Sequence, residues 1–191
     1  MILKLNIQPI HIEGLNCYED LIVSLSHWKV GQYAMNFVDS WGFSFDKSKD
    51  TGILGDKIGS GYKSIQTNAD EYYNIRLNIH ENPVQEELPF IKKELQEGHP
   101  VFLSMDTFYC HWQKTYKIRH ERHCCMLLGF NEDGSFICID AQPVRSNVIL
   151  PYEDLVNGYI NCLLLESKDC EVNNADVLRI FTQLSHIANL L

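Results

Sequence analysis

Two short apolar runs joined by a turn signal constrain the fold of this chain most. The first run begins at His123 and reads His-Cys-Cys-Met-Leu-Leu-Gly-Phe, the turn reads Asn-Glu-Asp-Gly, and the second run ends at Asp140. This pattern predicts a β-hairpin. A loop of the four turn residues pairs Phe130 with Ser135 and Cys125 with Asp140, so His123 and Asp140 become diagonal neighbours on one face. A two-residue loop keeps the shared face but moves the two residues one step further apart.

The residues around Cys17 predict the start of a helix. Asn16 is a favourable N-cap residue, Glu19 occupies the capping-box position, and apolar residues recur from Leu21 onward. Cys17 is then the first helical residue, where the helix dipole favours a thiolate. The alternative is that Cys17 is one of several small buried cysteines.

Cys17, His123 and Asp140 follow one another in the order that a cysteine enzyme of the papain type needs. A thiol attacks acyl groups as the thiolate, so it needs an imidazole to take its proton and a third group to orient that imidazole. We therefore predict Cys17 as the nucleophile, His123 as the base and Asp140 as the orienting acid.

The remaining patterns predict helices early in the chain and a mostly antiparallel sheet later, which is an α+β fold. Strands are expected at 3–7, 73–79, 101–105, 123–130, 136–140 and 147–150, helices at 33–41 and 86–97, and a short helix after Pro151 before the apolar run 159–165.

The length of 191 residues and the 45% hydrophobic content fit one core, which we assign to a catalytic domain at residues 1–170. Residues 171–191 carry apolar side chains at helical spacing. We expect this helix to pack on the core or on a partner, and self-association through it would give a homodimer.

Several segments resemble the N-terminal domain of the butirosin biosynthesis protein H family. The resemblance spans roughly residues 15–165 and is specific around Cys17 and between Gly98 and Pro143. It implies a papain-like fold related to the bacteriocin-processing C39-like cysteine peptidases. It also implies an acyltransferase that moves an acyl group from a carrier-protein thioester to an amine.

The sequence departs from that family at the oxyanion donors. The family often has histidine directly before the cysteine, where this chain has Asn16. The related peptidases have a glutamine about six residues upstream, where this chain has His11, and its nearest glutamine is Gln8. The N–H of Cys17 is one expected donor. The other candidates for oxyanion or substrate binding are Asn16, His11, Gln8, Asp106, Tyr109 and Tyr116.

A basic segment precedes the proposed base, although the net charge of the chain is −9. The net charge argues against a nucleic-acid partner. The basic segment could attract an acyl-carrier protein or a phosphopantetheine phosphate, or it could be an ordinary solvated loop. The expected partner is an acyl-carrier protein or a peptidyl thioester substrate. The candidate docking residues are Lys114, Lys117, Arg119 and Arg122.

Metal and phosphate-loop chemistry fit the sequence poorly. Cysteines and histidines cluster between Cys110 and Cys125, but they lack a Cys-x-x-Cys pair. The glycine-rich stretch 52–64 lacks the Gly-Lys-Ser/Thr of a phosphate loop. The resemblance implies that this stretch lines the acyl groove, and a flexible loop is the alternative. We expect neither a metal nor a cofactor.

The odd count of seven cysteines does not suggest a disulfide framework. Met1 to Ile10 do not resemble a signal peptide, and no apolar run is long enough to span a membrane. A cytoplasmic protein without a membrane partner is the resulting expectation.

Three functions are consistent with the sequence. The first is a cysteine-dependent acyltransferase of antibiotic or other secondary-metabolite biosynthesis. The second is a cysteine peptidase or amidase with the same triad, and the third is a catalytically idle domain that binds a carrier protein or a peptide.

Overall fold

The computed structural model describes residues 4–38, 43–49, 52–60 and 63–166. These residues form four α-helices and eight strands. The helices are α1 (Cys17–Val30), α2 (Ile65–Tyr73), α3 (Val84–Gln96) and α4 (Tyr152–Gly158). The strands are β1 (Phe43–Phe45), β2 (Ile58–Ser60), β3 (Leu77–His80), β4 (Val101–Asp106), β5 (Arg122–Phe130), β6 (Phe136–Ala141), β7 (Val144–Leu150) and β8 (Tyr159–Leu165).

Six of these strands form one antiparallel sheet in the order β3-β8-β4-β5-β6-β7, and β1 pairs with β2 separately. Helices α1 and α2 pack on one face of the large sheet, where Leu21, Tyr73 and Phe102 share a core. Helices α3 and α4 pack on the other face through residues such as Ile91 and Leu155. The α+β class with a mostly antiparallel sheet is therefore confirmed.

Helix α1 begins as the sequence predicts, with Asn16 as its N-cap and Cys17 as its first residue. The Asn16 Oδ1 atom accepts hydrogen bonds from the N–H groups of Tyr18 and Glu19, and the Glu19 side chain accepts from the Asn16 N–H. This reciprocal pair of bonds is a capping box, and it fixes the position of Cys17 at the positive end of the helix dipole.

The hairpin of β5 and β6 forms, but the expected pairing next to its turn is wrong. Phe130 lies opposite Phe136 rather than Ser135. An irregularity around Leu128 then shifts the register by one residue, and Met126 lies opposite Ile139. Continued from there, the register brings Asp140 opposite Cys125, as the sequence predicts. The bulge thus compensates for the longer turn.

The expected strand at residues 3–7 is not present in the described part, residues 4–7, although its alternation is real. Leu5 and Ile7 are buried while their neighbours are exposed. Strand β5, which this segment contacts, already pairs with β4 and β6, so it offers no free edge. Leu5 N–H donates to the carbonyl of Leu128 at the bulge, and this bond holds the segment on the α1 face of the sheet.

Two further expectations need correction. A 3₁₀ turn at Ala34–Phe37 replaces the first part of the helix expected at 33–41, whose residues 39–41 lie outside the described part. Tyr73 belongs to α2, which the sequence analysis missed, and the strand expected at 73–79 begins at Leu77. Ser64 caps α2 by accepting from the Thr67 N–H, a short local signal that could have indicated this helix.

The second half of the chain follows the sequence closely. The expected helix at 86–97 is α3, and Gly98 follows its end with a φ of +86°. The strands expected at 101–105 and 136–140 are present, and β7 begins three residues earlier than expected, at Val144. The expected C-terminal helix at 171–191 lies outside the described residues. None of the described helices has the length and apolar character that crossing a bilayer requires.

Candidate active site

The fold brings the side chains of Cys17, His123 and Asp140 together in one cluster. Cys17 opens α1, His123 lies near the start of β5, and Asp140 lies near the end of β6. The His123 Nε2 atom is 2.7 Å from Asp140 Oδ2, and the Cys17 thiol lies close enough to the His123 ring for the two groups to shift each other's pKa. Because Nε2 faces the carboxylate, Nδ1 is the ring nitrogen left for the thiol.

Asp140 is fully buried, and its carboxylate is satisfied by several donors besides His123. The indole N–H of Trp112 donates to Oδ2 at 2.6 Å, and the Gln113 amide donates to the same oxygen at 2.8 Å. The backbone N–H of Gln142 donates to Oδ1 at 2.8 Å. These bonds compensate for the loss of hydration that burial imposes on a carboxylate, and they fix the face it turns to His123.

Gln113 covers the bond between His123 and Asp140. Its Nε2 atom lies 2.9 Å from His123 Nε2 and 2.8 Å from the carbonyl oxygen of Gln142. If the His123 Nε2–H donates to Asp140, the two Gln113 protons go to Asp140 and to the Gln142 carbonyl. In that arrangement Asp140 accepts from the His123 Nε2–H, Nδ1 is left for Cys17, and Gln113 holds the carboxylate in place.

The charges of the site favour a thiolate and an imidazolium. Burial alone would raise the pKa of Cys17, but the hydrogen bond and charge of His123 outweigh it and lower that pKa below its ordinary value. Burial alone would lower the pKa of His123, but its bonds to Asp140 and Cys17 raise that pKa to about 9. Both shifts favour the form in which a nucleophilic thiolate lies beside its own proton donor.

The N-terminus of α1 leaves one backbone donor beside the sulfur. The N–H groups of Tyr18 and Glu19 bond the Asn16 side chain, and the N–H of Asp20 bonds the Asn16 carbonyl. The N–H of Cys17, the remaining amide of this first turn, donates to no acceptor among the described residues. It is therefore the donor best placed to stabilise an oxyanion formed on an acyl group attached to Cys17.

The three side chains considered as further oxyanion donors differ in position. Asn16 is adjacent to Cys17, but its Oδ1 atom serves the helix cap. His11 Nδ1 lies 2.7 Å from Oδ2 of the buried Asp20, so this ring nitrogen is engaged. Gln8 is exposed and donates to Asn6.

A cavity of about 400 Å³ opens beside Cys17. Helix α1 supplies Cys17 and Tyr18 to its wall, and α2 supplies Gln66. The sheet supplies its floor, which includes His123 and the polar side chains of Ser104, Arg122 and Asn161. A small acyl group bound here would lie against the sulfur.

The other proposed substrate-binding residues do not line this cavity. Asp106 accepts from the Phe108 N–H, lies 2.5 Å from His120, and lines a neighbouring depression. The ammonium group of Lys117 lies over the rings of Tyr109 and Tyr116. These contacts give all three residues local structural roles.

The four proposed docking residues differ in their surroundings. Lys114 is exposed, Lys117 contacts aromatic rings, and Arg119 pairs with Glu121 at 2.8 Å. Arg122, in contrast, lines the cavity beside Cys17. Only this residue of the four reaches the candidate site in the described part of the chain.

Within the described residues, the cavity contains neither the Cys/His metal site nor the phosphate loop that the sequence analysis considered. Cys124 packs on the α1 face of the sheet and Cys125 on the opposite face, as expected for adjacent strand residues. His120 and His123 are paired with Asp106 and Asp140. Within the described residues of the glycine-rich stretch, a 3₁₀ turn and β2 form, and none of them lines the cavity.

Sequence reasoning missed several residues of the site, among them Ser104, Gln113 and Asn161 entirely and Trp112 in its contact with Asp140. Trp112 and Gln113 lie in a loop between β4 and β5, and Ser104 and Asn161 meet because β8 inserts beside β4. The polar Ser104 and Asn161 within apolar strands were the only local signal, since a polar residue on a core face is unusual.

Comparison with known proteins agrees with this architecture. No family model matches the chain, and no curated protein matches its sequence. A crystal structure from Bacillus anthracis, provisionally named a C39-like peptidase, superposes with a TM-score of 0.53 at 12% sequence identity. The match covers 88% of this chain and 98% of the other. The chain thus shares the fold of that protein.

Proposed function

We propose that this protein is a cysteine-dependent acyltransferase of papain-like fold that works through an acyl-enzyme on Cys17. The observation that carries the proposal is that Cys17 lies beside His123 in one cavity while the His123 ring bonds the buried Asp140 at 2.7 Å. In that cluster the pKa of the thiol is lowered and that of the imidazole is raised to about 9. A reactive thiolate needs this combination at neutral pH, whereas a structural cysteine does not.

The first half-reaction would form the acyl-enzyme. The Cys17 thiolate attacks the carbonyl carbon of a thioester, and the carbonyl oxygen becomes an oxyanion that the Cys17 N–H can stabilise. When the tetrahedral intermediate collapses, the bond to the donor sulfur breaks. The leaving thiolate takes the proton from Nδ1 of the His123 imidazolium, and His123 becomes neutral.

The second half-reaction would transfer the acyl group to an amine. The amine nitrogen attacks the Cys17 acyl carbon, and neutral His123 removes the proton that the nitrogen loses. Collapse of this intermediate breaks the bond to the Cys17 sulfur and forms an amide. The thiolate and the imidazolium are then restored together, so the cycle needs no cofactor.

The donor and the metabolic setting are the finer part of the proposal. The resemblance to the butirosin biosynthesis protein H family supports a carrier-protein thioester as donor and secondary metabolism as the setting. The exposed basic residues Lys114 and Arg119 lie on the loop that leads to His123, and they are suited to an acidic carrier protein.

Peptidase activity is the second candidate, because the solved structure with the same fold is named for it. A peptide amide would react with the same thiolate, and water would replace the amine as acceptor. The idle binding domain of the sequence analysis is less consistent with the site, because a binding domain has no need for a cluster of thiol, imidazole and carboxylate.

The products separate these possibilities. The protein is incubated with an acyl N-acetylcysteamine thioester and a primary amine, and the products are quantified by mass spectrometry. We expect the N-acyl amine to exceed the free acid, and Cys17→Ala to abolish both enzymatic products. Cys162→Ala, which removes a buried thiol on the opposite face, should retain activity.

Other product patterns would change the assignment. Free acid alone, together with cleavage of peptide amides, would favour the peptidase. Normal turnover by Cys17→Ala would rule out both cysteine mechanisms, and no reaction with thioesters or peptides would favour the binding domain.

A further inference from the structure

A polar row crosses the floor of the cavity beside Cys17. Ser104 on β4 lies opposite Cys124 on β5 and also opposite Asn161 on β8. Arg122 lies two residues before Cys124 on the same strand, so its side chain leaves the same face of the sheet. Its guanidinium is 3.4 Å from the Ser104 hydroxyl. Three strands therefore place a guanidinium, a hydroxyl and an amide side by side.

Two atoms of this cavity have unused hydrogen-bonding capacity. Asn161 is only 4% exposed, and its Oδ1 atom has no hydrogen-bond partner among the described residues. The Tyr18 hydroxyl is also buried without a partner there. Burial raises the pKa of Tyr18, so this group is a neutral hydroxyl near pH 7. A buried acceptor without a donor is unfavourable, and a ligand with an N–H or O–H would satisfy it.

Arg122 also lacks an ionic partner in the described part of the chain. The adjacent Glu121 pairs with Arg119, and Asp106, opposite Arg122 on β4, pairs with His120. No carboxylate belongs to the described lining of the cavity. The guanidinium is therefore free to bind a carboxylate through two parallel hydrogen bonds.

The rest of the cavity suits a hydrocarbon chain. Ile79 and Leu163 contribute apolar side chains to the lining, and Cys124 lies close to the Cys17 sulfur. Two strand residues span roughly 7 Å, which sets the distance along β5 between Cys124 and Arg122. A short methylene chain bridges such a distance.

We propose that the cavity is the acyl-binding site and that it selects an acyl group with a free carboxylate and a hydroxyl or amine group. The carboxylate binds Arg122 and Ser104, the hydroxyl or amine donates to Asn161, and the methylene groups contact Leu163. This inference rests on the proposed acyl-enzyme, and it defines the substrate class of that enzyme.

Three thioesters of equal chain length test the inference. Pentanoyl, glutaryl and 3-hydroxyglutaryl N-acetylcysteamine are compared by the rate at which each adds to Cys17, measured by intact mass. Glutaryl should exceed pentanoyl by about threefold, because Arg122 is exposed and water partly screens its ionic bond. The hydroxyl should add a further factor of about five, as one hydrogen bond to a buried acceptor provides.

Matched variants assign each preference to its residue. Arg122→Met should reduce the glutaryl-to-pentanoyl ratio to about one. Arg122→Lys should retain part of the preference for glutaryl, because lysine keeps the positive charge but not the planar guanidinium. Asn161→Ala should remove the advantage of the hydroxyl and retain that of the carboxylate. Lys93→Met removes an exposed cation on α3, on the other face of the sheet, and should change neither ratio.

Failure of the inference is distinguishable from failure of the proposed function. Equal addition of pentanoyl and glutaryl to wild-type Cys17, or a ratio unchanged in folded Arg122→Met, overturns the inference and leaves the acyl-enzyme intact. If no thioester adds, protection of Cys17 from iodoacetamide is measured with glutarate and pentanoate. Protection by glutarate alone that Arg122→Met abolishes supports the cavity assignment without the enzyme, and absence of protection overturns it.

Discussion

Cys17 is subject to two opposing influences, burial and the neighbouring His123. Burial raises its pKa, and the hydrogen bond and charge of His123 lower it further than burial raises it. Removing the imidazole should therefore leave burial as the main effect. The reactivity of the thiol at neutral pH then depends on His123 more than on the exposure of the sulfur.

Alkylation of Cys17 by iodoacetamide should show this dependence. In the wild type the rate should rise with pH earlier than it does for an ordinary thiol, because the pKa of Cys17 is lowered. In His123→Ala the rate at pH 7 should fall by about tenfold or more, toward that of an ordinary or buried thiol. The rate is followed by mass spectrometry, with Cys17→Ala reporting the background from the other cysteines. Equal pH profiles of wild type and His123→Ala would contradict the ion pair.

Asp140 should act through the pKa of His123. The bond to Asp140 is the largest of the influences that raise this pKa to about 9. Asp140→Asn keeps the size of the side chain but removes its charge, so the imidazole should lose its proton at lower pH, and turnover should fall by about 10²- to 10⁴-fold. An NMR titration of the His123 ring measures the shift. A pKa that stays near 9 in the variant would show that Asp140 does not hold the proton.

At the scale of elements, the N-terminus of α1 connects stability with reactivity. Asn16→Ala removes the acceptor of two amide protons and should destabilise the protein by about 1 kcal/mol. Asn16→Asp preserves the cap and its stability, but its charge beside the sulfur should raise the pKa of Cys17. Urea unfolding and alkylation at pH 7 are measured on both variants. Loss of stability in Asn16→Asp equal to that in Asn16→Ala would contradict the capping role.

The sequence predicted both the helix that carries Cys17 and the hairpin that carries His123 and Asp140. The helix start was predicted for the right reason, whereas the hairpin register was only partly right. Asn16 and Glu19 determine the start of α1 through contacts within one turn, so the sequence alone was sufficient. The pairing of His123 with Asp140 was predicted through a register that is wrong at Phe130, and the bulge near Leu128 restores it. At this bulge the Leu128 carbonyl accepts from the Leu5 N–H, and no local pattern in the hairpin specifies that distant contact.

At the scale of the whole molecule, Gln142 joins α1, the helix that carries the proposed nucleophile Cys17, to the sheet. Its Nε2 atom donates to the carbonyl of Leu15 and to Oδ2 of Asp20, each at 2.7 Å. Its backbone N–H donates to Asp140. One residue thus bonds the loop before Cys17, the buried Asp20 of α1, and Asp140, the proposed orienting acid.

Gln142→Ala should weaken this link without touching the sulfur. The free energy of unfolding should fall by about 1–3 kcal/mol, because the buried Asp20 carboxylate and the Leu15 carbonyl lose a donor. Turnover should fall while the backbone bond to Asp140 remains. Gln8→Ala, which changes an exposed glutamine, is the control and should leave unfolding by urea nearly unchanged. A Gln142→Ala variant as stable and active as the control would mean that α1 is held by its apolar contacts alone.

The cavity belongs to this largest scale, and its floor could not be predicted from the sequence. Arg122, Ser104 and Asn161 are far apart in the chain and meet through the strand order, in which β8 lies between β3 and β4. Local periodicity predicts strands but not which strands are neighbours. The sequence analysis therefore assigned Arg122 to a docking surface, whereas in the structure it lines the cavity that we propose as the acyl-binding site.

Trapping the acyl-enzyme is the decisive measurement. The protein is exposed to an acyl thioester without an acceptor, quenched in acid within seconds, and digested for peptide mass spectrometry. We expect one acyl group on the peptide that contains Cys17, its disappearance when an amine is added before the quench, and no adduct in Cys17→Ala. An acyl group on another cysteine, or undiminished turnover without any adduct on Cys17, would contradict the assignment of Cys17 as the nucleophile.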